Sequence, residues 1–215
     1  MVFRDRADAG RRLAERLSHL KGADPIVFAL PRGGVPVAAP IAEALGAPLD
    51  LLLVRKIGAP GQPELALGAV VEGDPPQTVV NDGIAAALGV SPAAVAREAA
   101  RQLDEIARRR RLWLHGRPAV PPRGRTAVVV DDGVATGATV RAALLALERA
   151  GAARRVLAAP VAPRDTAEAL RRSCDEAVFL AEPQDLGSVG AHYMDFRQLD
   201  DAEVVALLDR AAGAR

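Results

Sequence analysis

Two adjacent carboxylates are followed closely along the chain by two hydroxyl side chains. Asp131 and Asp132 end an apolar run, and Thr136 and Thr139 come after a stretch of small residues. Small residues let backbone N–H groups converge on a ligand, and a helix that begins there adds the positive end of its dipole. This arrangement suits a phosphate. Because carboxylates repel phosphate, we expect them to face ribose hydroxyls, directly or through Mg²⁺. The pattern therefore predicts a site for a sugar 5-phosphate with free 2- and 3-hydroxyls.

Commoner phosphate loops do not fit this stretch. A Walker loop needs a lysine after its last glycine, and no lysine follows Gly133. A dinucleotide fingerprint has its acidic residue about 20 residues after the glycines, whereas here the acids come first. The alternative without function is a strand with two capping aspartates before an ordinary helix.

A second glycine loop lies far earlier in the chain. The apolar run 26–30 ends at Pro31, Arg32, Gly33 and Gly34, and helical spacing resumes from 37 to 45. Strand, glycine turn and helix again form an anion-binding arrangement, to which Arg32 adds a permanent charge. Read alone, the segment is also compatible with a tight turn whose arginine points to water.

Another cation, Lys56, follows an apolar run that predicts a strand over 49–54. The next residues, 57–64, contain two prolines and two glycines, which predicts an irregular loop. We expect the segment 57–66 to be mobile and to close over a bound ligand. A plain surface loop is the alternative.

Composition bounds the class of protein. The chain has 215 residues, half of them hydrophobic, and a net charge of +1. This length suits one α/β domain, and the balanced charge does not indicate bulk nucleic-acid binding. A single cysteine excludes an intrachain disulfide. We find neither an apolar signal region nor an apolar run of about 18 residues, so we expect a cytoplasmic protein without membrane partners.

Alternation of strands and helices predicts the fold. Buried runs at 26–30, 49–54, 67–72, 128–130 and 155–161 alternate with helical patterns, which indicates a doubly wound, mostly parallel sheet flanked by helices. Right-handed crossovers with a reversal of winding after the third strand would bring the Ile26 and Val128 strands side by side. Ligands bind at such a switch point. Helical patterns also cover 7–20 and 91–114, with Ser91 and Pro92 as a start signal, and a C-terminal helix capped by Asp200 or Asp201.

The segment 131–139, called the acid loop below, resembles together with the strand before it the 5-phosphoribosyl-1-pyrophosphate (PRPP) motif of type I phosphoribosyltransferases. The shared pattern is an apolar strand, two acids, a small-residue loop and Thr-Gly-x-Thr, which here is Thr136 to Thr139. The resemblance implies a Mg²⁺-dependent pentosyltransferase of nucleotide metabolism that moves the 5-phosphoribosyl group from PRPP to a nitrogen base and releases pyrophosphate. It also implies one domain, 1–215, with a core over 22–180, a helical insertion over 82–115, and a hood from 1–21 and 181–215.

The resemblance also assigns roles to residues. It implies catalytic roles for Asp131, Asp132, Arg32 and Lys56, with the two aspartates reaching the metal through ribose or water. Arg32 and Lys56 would hold the pyrophosphate from two sides. The residues expected to bind PRPP are Pro31, Arg32, Gly33, Gly34, Lys56, Asp131, Asp132, Gly133, Val134, Ala135, Thr136, Gly137, Ala138 and Thr139.

Base recognition is less specific. By a looser similarity to the hypoxanthine-guanine enzymes, Val189, Tyr193, Asp195 and Phe196 would line the base, although the aromatic pair suits core packing equally well. Those enzymes carry aspartate at the position of Ala135, which argues against a 6-oxopurine and leaves the base open.

Two further points stay open. A non-catalytic PRPP-sensing regulator on the same fold is the alternative function, and a phosphosugar enzyme such as a nucleotide phosphorylase is a third. The basic run 108–111 predicts a solvated helix face, or arginines that reach over a neighbouring subunit, rather than nucleic-acid binding. We expect a homodimer that acts on small molecules.

Overall fold

Strands and helices alternate along most of the protein. The structure is a computed structural model that describes residues 2–59, 62–73 and 75–213. The strands are β1 (Pro25–Ala29), β2 (Leu49–Leu51), β3 (Val54–Ala59), β4 (Gln62–Val71), β5 (Gln77–Val80), β6 (Thr126–Val130), β7 (Arg154–Val161) and β8 (Glu176–Ala181). The helices are α1 (Arg6–Arg16), α2 (Gly34–Leu45), α3 (Asp82–Ala87), α4 (Pro92–Leu114), α5 (Ala138–Arg149), α6 (Arg164–Arg171) and α7 (Asp201–Gly213). Short 3₁₀ turns lie at Ser18–Leu20 and Val189–His192.

A parallel five-stranded sheet in the order β2-β1-β6-β7-β8 carries the fold. All residues of β1 and β6 are buried, as expected for strands covered on both faces. The two strands are neighbours, with Ile26 opposite Ala127 and Ala29 opposite Val130. The winding direction reverses between them, so the predicted switch point is confirmed. The loops that follow β1 and β6 consequently emerge at the same edge of the sheet.

Apolar helix faces cover both sides of this sheet. Leu13 of α1, Ile41 of α2 and Val204 of α7 pack on one side in a single buried cluster. Leu144 of α5 and Leu170 of α6 belong to a second cluster on the other side. The predicted doubly wound architecture is thus confirmed.

A separate antiparallel sheet, β3-β4-β5, corrects two predictions. The run 67–72 does not join the main sheet, and the run 49–54 is not one strand. β2 stops at Leu51, and the chain turns at Leu53, whose N–H donates to the Glu72 carboxylate at 2.8 Å. The reversal of winding therefore follows the second strand of the main sheet, not the third.

The prediction of an irregular loop over 57–64 was also wrong. β3 continues to Ala59 and pairs with β4 from Gln62 onward; Pro60 and Gly61 lie outside the described residues. The register of the β3–β4 pairing shifts on both sides of Gly58, which marks a β-bulge or similar irregularity at this glycine. β5 pairs with β4 only from Gly68 onward. Proline has no backbone N–H, and at position 63 this interrupts no pairing with β5. The described residues of the segment 57–66 thus belong to two antiparallel strands, and its predicted closure over a ligand stays a prediction.

The basic run on α4 is only partly a solvated face. Arg110 reaches inward and donates to Asp50 at 3.0 Å and to Glu72 at 3.0 Å, with its side chain 18% exposed. Arg108 and Arg109 instead pair along the helix with Glu105. Arg110 therefore links α4 to both sheets.

The predicted helix ends hold. The Ser91 hydroxyl accepts from Ala94 N–H, and Pro92 is the first residue of α4. Asp200 caps α7 by accepting the Glu203 N–H at 2.8 Å. Among the described residues, no helix combines the length and the apolar character needed to cross a membrane.

Candidate active site

The two carboxylates stand where β6 ends, beside β1. Asp131 Oδ1 accepts the backbone N–H of Asp132 at 2.9 Å, which bends the chain away from the strand. Burial, together with the neighbouring charge of Asp132, raises the pKa of Asp131 well above its usual range. Two neighbouring carboxylates repel each other, and the single cation beside them, Arg6, whose Nε lies 2.7 Å from Asp132 Oδ2, offsets only part of that repulsion. The pair is therefore suited to hydroxyl donors or a cation.

Contacts with neighbouring elements fix the loop that follows the acids. Val134 N–H donates to the Val161 carbonyl at 2.8 Å, extending the β6–β7 pairing. Thr166 Oγ1 donates to the Ala135 carbonyl at 3.1 Å. Gly137, the cap residue directly before α5, has a φ of 75°, a conformation that is strained for residues with a side chain. These contacts within the protein fix the shape of the loop.

The start of α5 is open to solvent. Thr136, Ala138 and Thr139 are exposed. The first N–H groups of a helix have no partner within it, and they carry its positive dipole end. This exposed stretch therefore offers two hydroxyls and the first N–H groups of α5 to a phosphate.

Gly33 and Gly34 place the earlier loop directly against the acids. A Cβ atom on Gly33 would lie 2.0 Å from Asp132 Oδ2, and one on Gly34 would lie 2.6 Å from the Val130 carbonyl oxygen. Real Cβ atoms do not approach so closely, so the backbone contact requires glycine at Gly34, and a side chain at Gly33 would displace the Asp132 carboxylate. The two glycines, which the sequence predicts to bind PRPP, also bring the two loops into contact.

Arg32 and Lys56 lie on different sides of the acid loop. Arg32 Nη1 is 3.8 Å from Asp201 Oδ1 at the start of α7, and Asp201 also accepts from Trp113 Nε1 at 3.0 Å. Lys56 on β3 lines a cavity of about 880 Å³ together with Thr139 of α5, and Arg32 is not among the residues that line it. The structure thus brings Lys56 towards the phosphate loop.

The tail residues predicted to line a base cover the acid loop. The Tyr193 hydroxyl donates to the Asp132 carbonyl, and its ring lies 5.0 Å from that of Phe196, stacked on it. Tyr193 is buried, which raises the pKa of its hydroxyl. A Cβ on Gly133 would lie 2.4 Å from Val189, so Val189 packs on the acid loop. Asp195 is exposed.

Sequence reasoning missed Arg6. Its Nε donates to Asp132 Oδ2 at 2.7 Å, and its guanidinium lies 3.9 Å from the centre of the Phe196 ring. One signal was available, because a cation at the first position of a helix opposes the helix dipole. Such a placement suggests a partner elsewhere. Nothing local pointed to Asp132, which lies 126 residues away.

Known proteins resemble this chain over nearly all of its length. The model of the phosphoribosyl transferase domain matches residues 4–185. Two strains of Mycobacterium tuberculosis each have a protein named "Putative phosphoribosyl transferase" that is 47% identical over 210 residues. The match covers 98% of this chain and 47% of each relative, so the chain spans about half their length.

A solved structure is also similar. The protein TT1426 from Thermus thermophilus is 46% identical and superposes with a TM-score of 0.84, covering 97% of this chain and 98% of that one. The resemblance of the acid loop to the PRPP motif is therefore part of a likeness that includes the whole fold. The chain belongs to the phosphoribosyl transferase domain family.

Proposed function

We propose that this protein is a Mg²⁺-dependent phosphoribosyltransferase that moves the 5-phosphoribosyl group of PRPP to a nitrogen base and releases pyrophosphate. One observation carries the proposal: the loops after β1 and β6 touch, with the Gly33 backbone against the Asp132 carboxylate. The loop after β1, which would bind an anion, and the Asp132 carboxylate, which would bind a hydroxyl, are therefore close enough to contact the same ligand. PRPP carries phosphate, ribose hydroxyls and pyrophosphate in one molecule.

The 5-phosphate is assigned to the start of α5. Backbone N–H groups over 135–139 and the hydroxyls of Thr136 and Thr139 can surround its oxygens. Apart from the buried Gly137, these residues are open to solvent, while the backbone on either side is fixed by hydrogen bonds. A preformed cradle of this kind orders the sugar at little entropic cost.

The ribose hydroxyls are assigned to Asp131 and Asp132. Carbon 1 becomes oxocarbenium-like as the pyrophosphate leaves, and the nearby carboxylates offset that positive charge. The buried pair also orients the sugar, so that the base attacks the face opposite the leaving group.

The donor set fits Mg²⁺. Among the described residues, no cluster of three or more His, Cys, Asp or Glu side chains could hold a metal, so an ion beside Asp131 and Asp132 would depend on substrate oxygens for its other ligands. Mg²⁺ is commonly held by one or two carboxylates together with substrate oxygens, and Asp131 and Asp132 supply two adjacent carboxylates at the end of β6. When bound, the ion supplies charge neutralisation at the departing pyrophosphate.

Arg32 and Lys56 are assigned to the pyrophosphate. Arg32 occupies the loop that contacts Asp132, and Lys56 faces the helix whose start would bind the 5-phosphate. Both cations act on a leaving group whose charge grows as the bond breaks, so they favour the transition state. The hood over the sugar is assigned to the two chain ends, 1–21 and 181–215, around a core over 22–180 with the helices of 82–115 inserted.

Steady-state pyrophosphate release tests the proposal. Purified protein is supplied with PRPP, Mg²⁺ and a panel of purine and pyrimidine bases, and PRPP binding is followed separately by calorimetry. Turnover with one base or a few is the expected result. PRPP binding without turnover would instead indicate a sensor on the same fold. A protein that binds no PRPP would refute the assignment of the site.

A further inference from the structure

Arg6 makes the one long-range ion pair that reaches the acid loop from the described residues. Its Nε lies 2.7 Å from Asp132 Oδ2, and the two side chains are only 11% and 16% exposed. Asp5 caps α1 by accepting the Asp8 N–H, which fixes Arg6 as the first residue of that helix. The position of Arg6 is therefore set by the helix rather than by the pairing itself.

Two further contacts hold the guanidinium of Arg6 in place. Nη1 donates to the Arg197 carbonyl at 3.0 Å, and the group lies 3.9 Å from the centre of the Phe196 ring. A planar guanidinium with a hydrogen bond, an ion pair and a ring contact has little rotational freedom left. It can consequently fix the orientation of the carboxylate that it binds.

Asp132 is restrained from two more sides. The Tyr193 hydroxyl donates to its carbonyl oxygen, and the Gly33 backbone lies against its carboxylate. No hydrogen bond from the described residues reaches Oδ1, although a carboxylate can accept about four. Arg6 thus takes one oxygen of the carboxylate and leaves the other for a ligand.

We propose that Arg6 is a positioning residue for ribose recognition, which holds the Asp132 carboxylate so that Oδ1 accepts a ribose hydroxyl. This inference rests on the proposed function, since it needs a ribose at this place. Without Arg6, the carboxylate rotates away from the sugar while the phosphate cradle at the start of α5 stays intact. The effect is therefore specific to the sugar part of the ligand.

A purely structural ion pair would behave differently. In that case Arg6 would only fasten α1 to the acid loop, and its loss would lower the melting temperature without discriminating between ligands. Arg12 is the matched control because it lies on the same helix, pairs with Asp8 at 2.9 Å and sits 5.5 Å from the Phe3 ring. It makes the same kinds of contact away from Asp132.

Calorimetric titration separates the two cases. Wild type, Arg6→Gln and Arg12→Gln are titrated with inorganic phosphate and with ribose 5-phosphate, and melting temperatures are recorded. We expect Arg6→Gln to bind ribose 5-phosphate about 10–100-fold more weakly while its phosphate affinity changes less than about twofold. Arg12→Gln should bind both ligands as wild type does. Arg6→Lys, which keeps the charge, should recover part of the loss and replaces Arg6→Gln if that variant does not fold.

Two outcomes would overturn the inference. Equal losses for phosphate and ribose 5-phosphate, or no loss in a folded Arg6 variant, would leave Arg6 as a structural residue while the proposed function stands. A wild-type protein that bound phosphate but gained nothing from the ribose would overturn the proposed function together with the inference. The wild-type titration therefore tells the two failures apart.

Discussion

Replacing Gly33 with alanine tests the contact between the two loops with one methyl group. Gly33 has φ −61° and ψ −34°, a conformation that alanine adopts readily. Backbone strain is therefore not the cause of any effect, and alanine would by itself reduce the entropy of the unfolded chain. What the methyl group meets is the Asp132 side chain, at 2.0 Å from Oδ2 and 2.4 Å from the carboxyl carbon.

The size of the effect follows from these distances. An ordinary carbon–oxygen contact needs about 3.4 Å, so the loop and the carboxylate must separate by more than about 1 Å. Arg6, which donates to this same Oδ2, and Tyr193, which donates to the Asp132 carbonyl, oppose that movement. A misplacement of about 1 Å in a catalytic group costs about 10²-fold in rate, or about 2.7 kcal/mol.

Kinetics and unfolding measured together give the answer. We expect Gly33→Ala to lower kcat/KM for PRPP about 10²-fold with a small change in melting temperature. Gly83→Ala is the matched control, since a Cβ there meets nothing closer than 3.4 Å. If Gly33→Ala turned over PRPP like Gly83→Ala, the contact between the loops would not matter for catalysis, and the reasoning would fail.

Three further predictions address the acids, the cations and a buried carboxylate. Asp131→Asn with Asp132→Asn should weaken PRPP binding or turnover about 10²-fold or more while the fold survives, because amides bind neither Mg²⁺ nor ribose as well. Arg32→Ala and Lys56→Ala should each cost about 2–4 kcal/mol of transition-state stabilisation, measured as kcat/KM for PRPP. Burial raises the pKa of Glu72 to about 7, so the folded protein binds a proton that the unfolded chain releases between about pH 4.5 and 7. Stability should fall by up to about 3 kcal/mol as pH rises through this window, and Glu72→Gln should remove that fall in urea unfolding.

Each of these predictions has its own control and contrary outcome. A folded double amide variant with normal PRPP affinity would remove the acids from the mechanism. Arg172, which lines the cavity of Lys56 but pairs with Glu168, is the control for the lysine; equal effects of Arg172→Ala and Lys56→Ala would speak against a specific role. Glu105, with a pKa lowered to about 2 by Arg108 and Arg109, stays ionised throughout the window. Glu105→Gln should therefore keep the pH dependence of wild type, and Glu72→Gln keeping it too would count against the burial argument.

Local patterns predicted the main sheet because its signals are local. The valine run before Asp131 indicates a strand that is buried on both faces. The apolar run 26–30 before the first glycine loop shows the same pattern. Right-handed crossovers allow only a few orders of the strands in the sheet, and one of these orders places β1 beside β6. The position of the acids at the sheet edge followed.

Pairings between distant residues were not predictable in this way. Proline and glycine counts argued against a strand over 57–64, but pairing with β4 and a bulge at Gly58 overrode that local preference. Arg110 sat in a run of four arginines, and only the fold brings it to Asp50 and Glu72. The ion pair of Arg6 likewise depends on two segments meeting in space.

The bridge between Phe3 and Tyr193 has a consequence for how the protein is made. During synthesis the amino-terminal part of a chain emerges first and domains begin to fold as they appear. α1 can dock on α2 early, but Phe3 has no strand partner until the segment around Tyr193 leaves the ribosome. The contacts around Asp132 that need both segments therefore form only after the glycine loop, the acids and α5 have been synthesised. A nascent chain stalled before Tyr193 would contain the loop after β1 and the acid loop, but it would lack the contact of Tyr193 with Asp132.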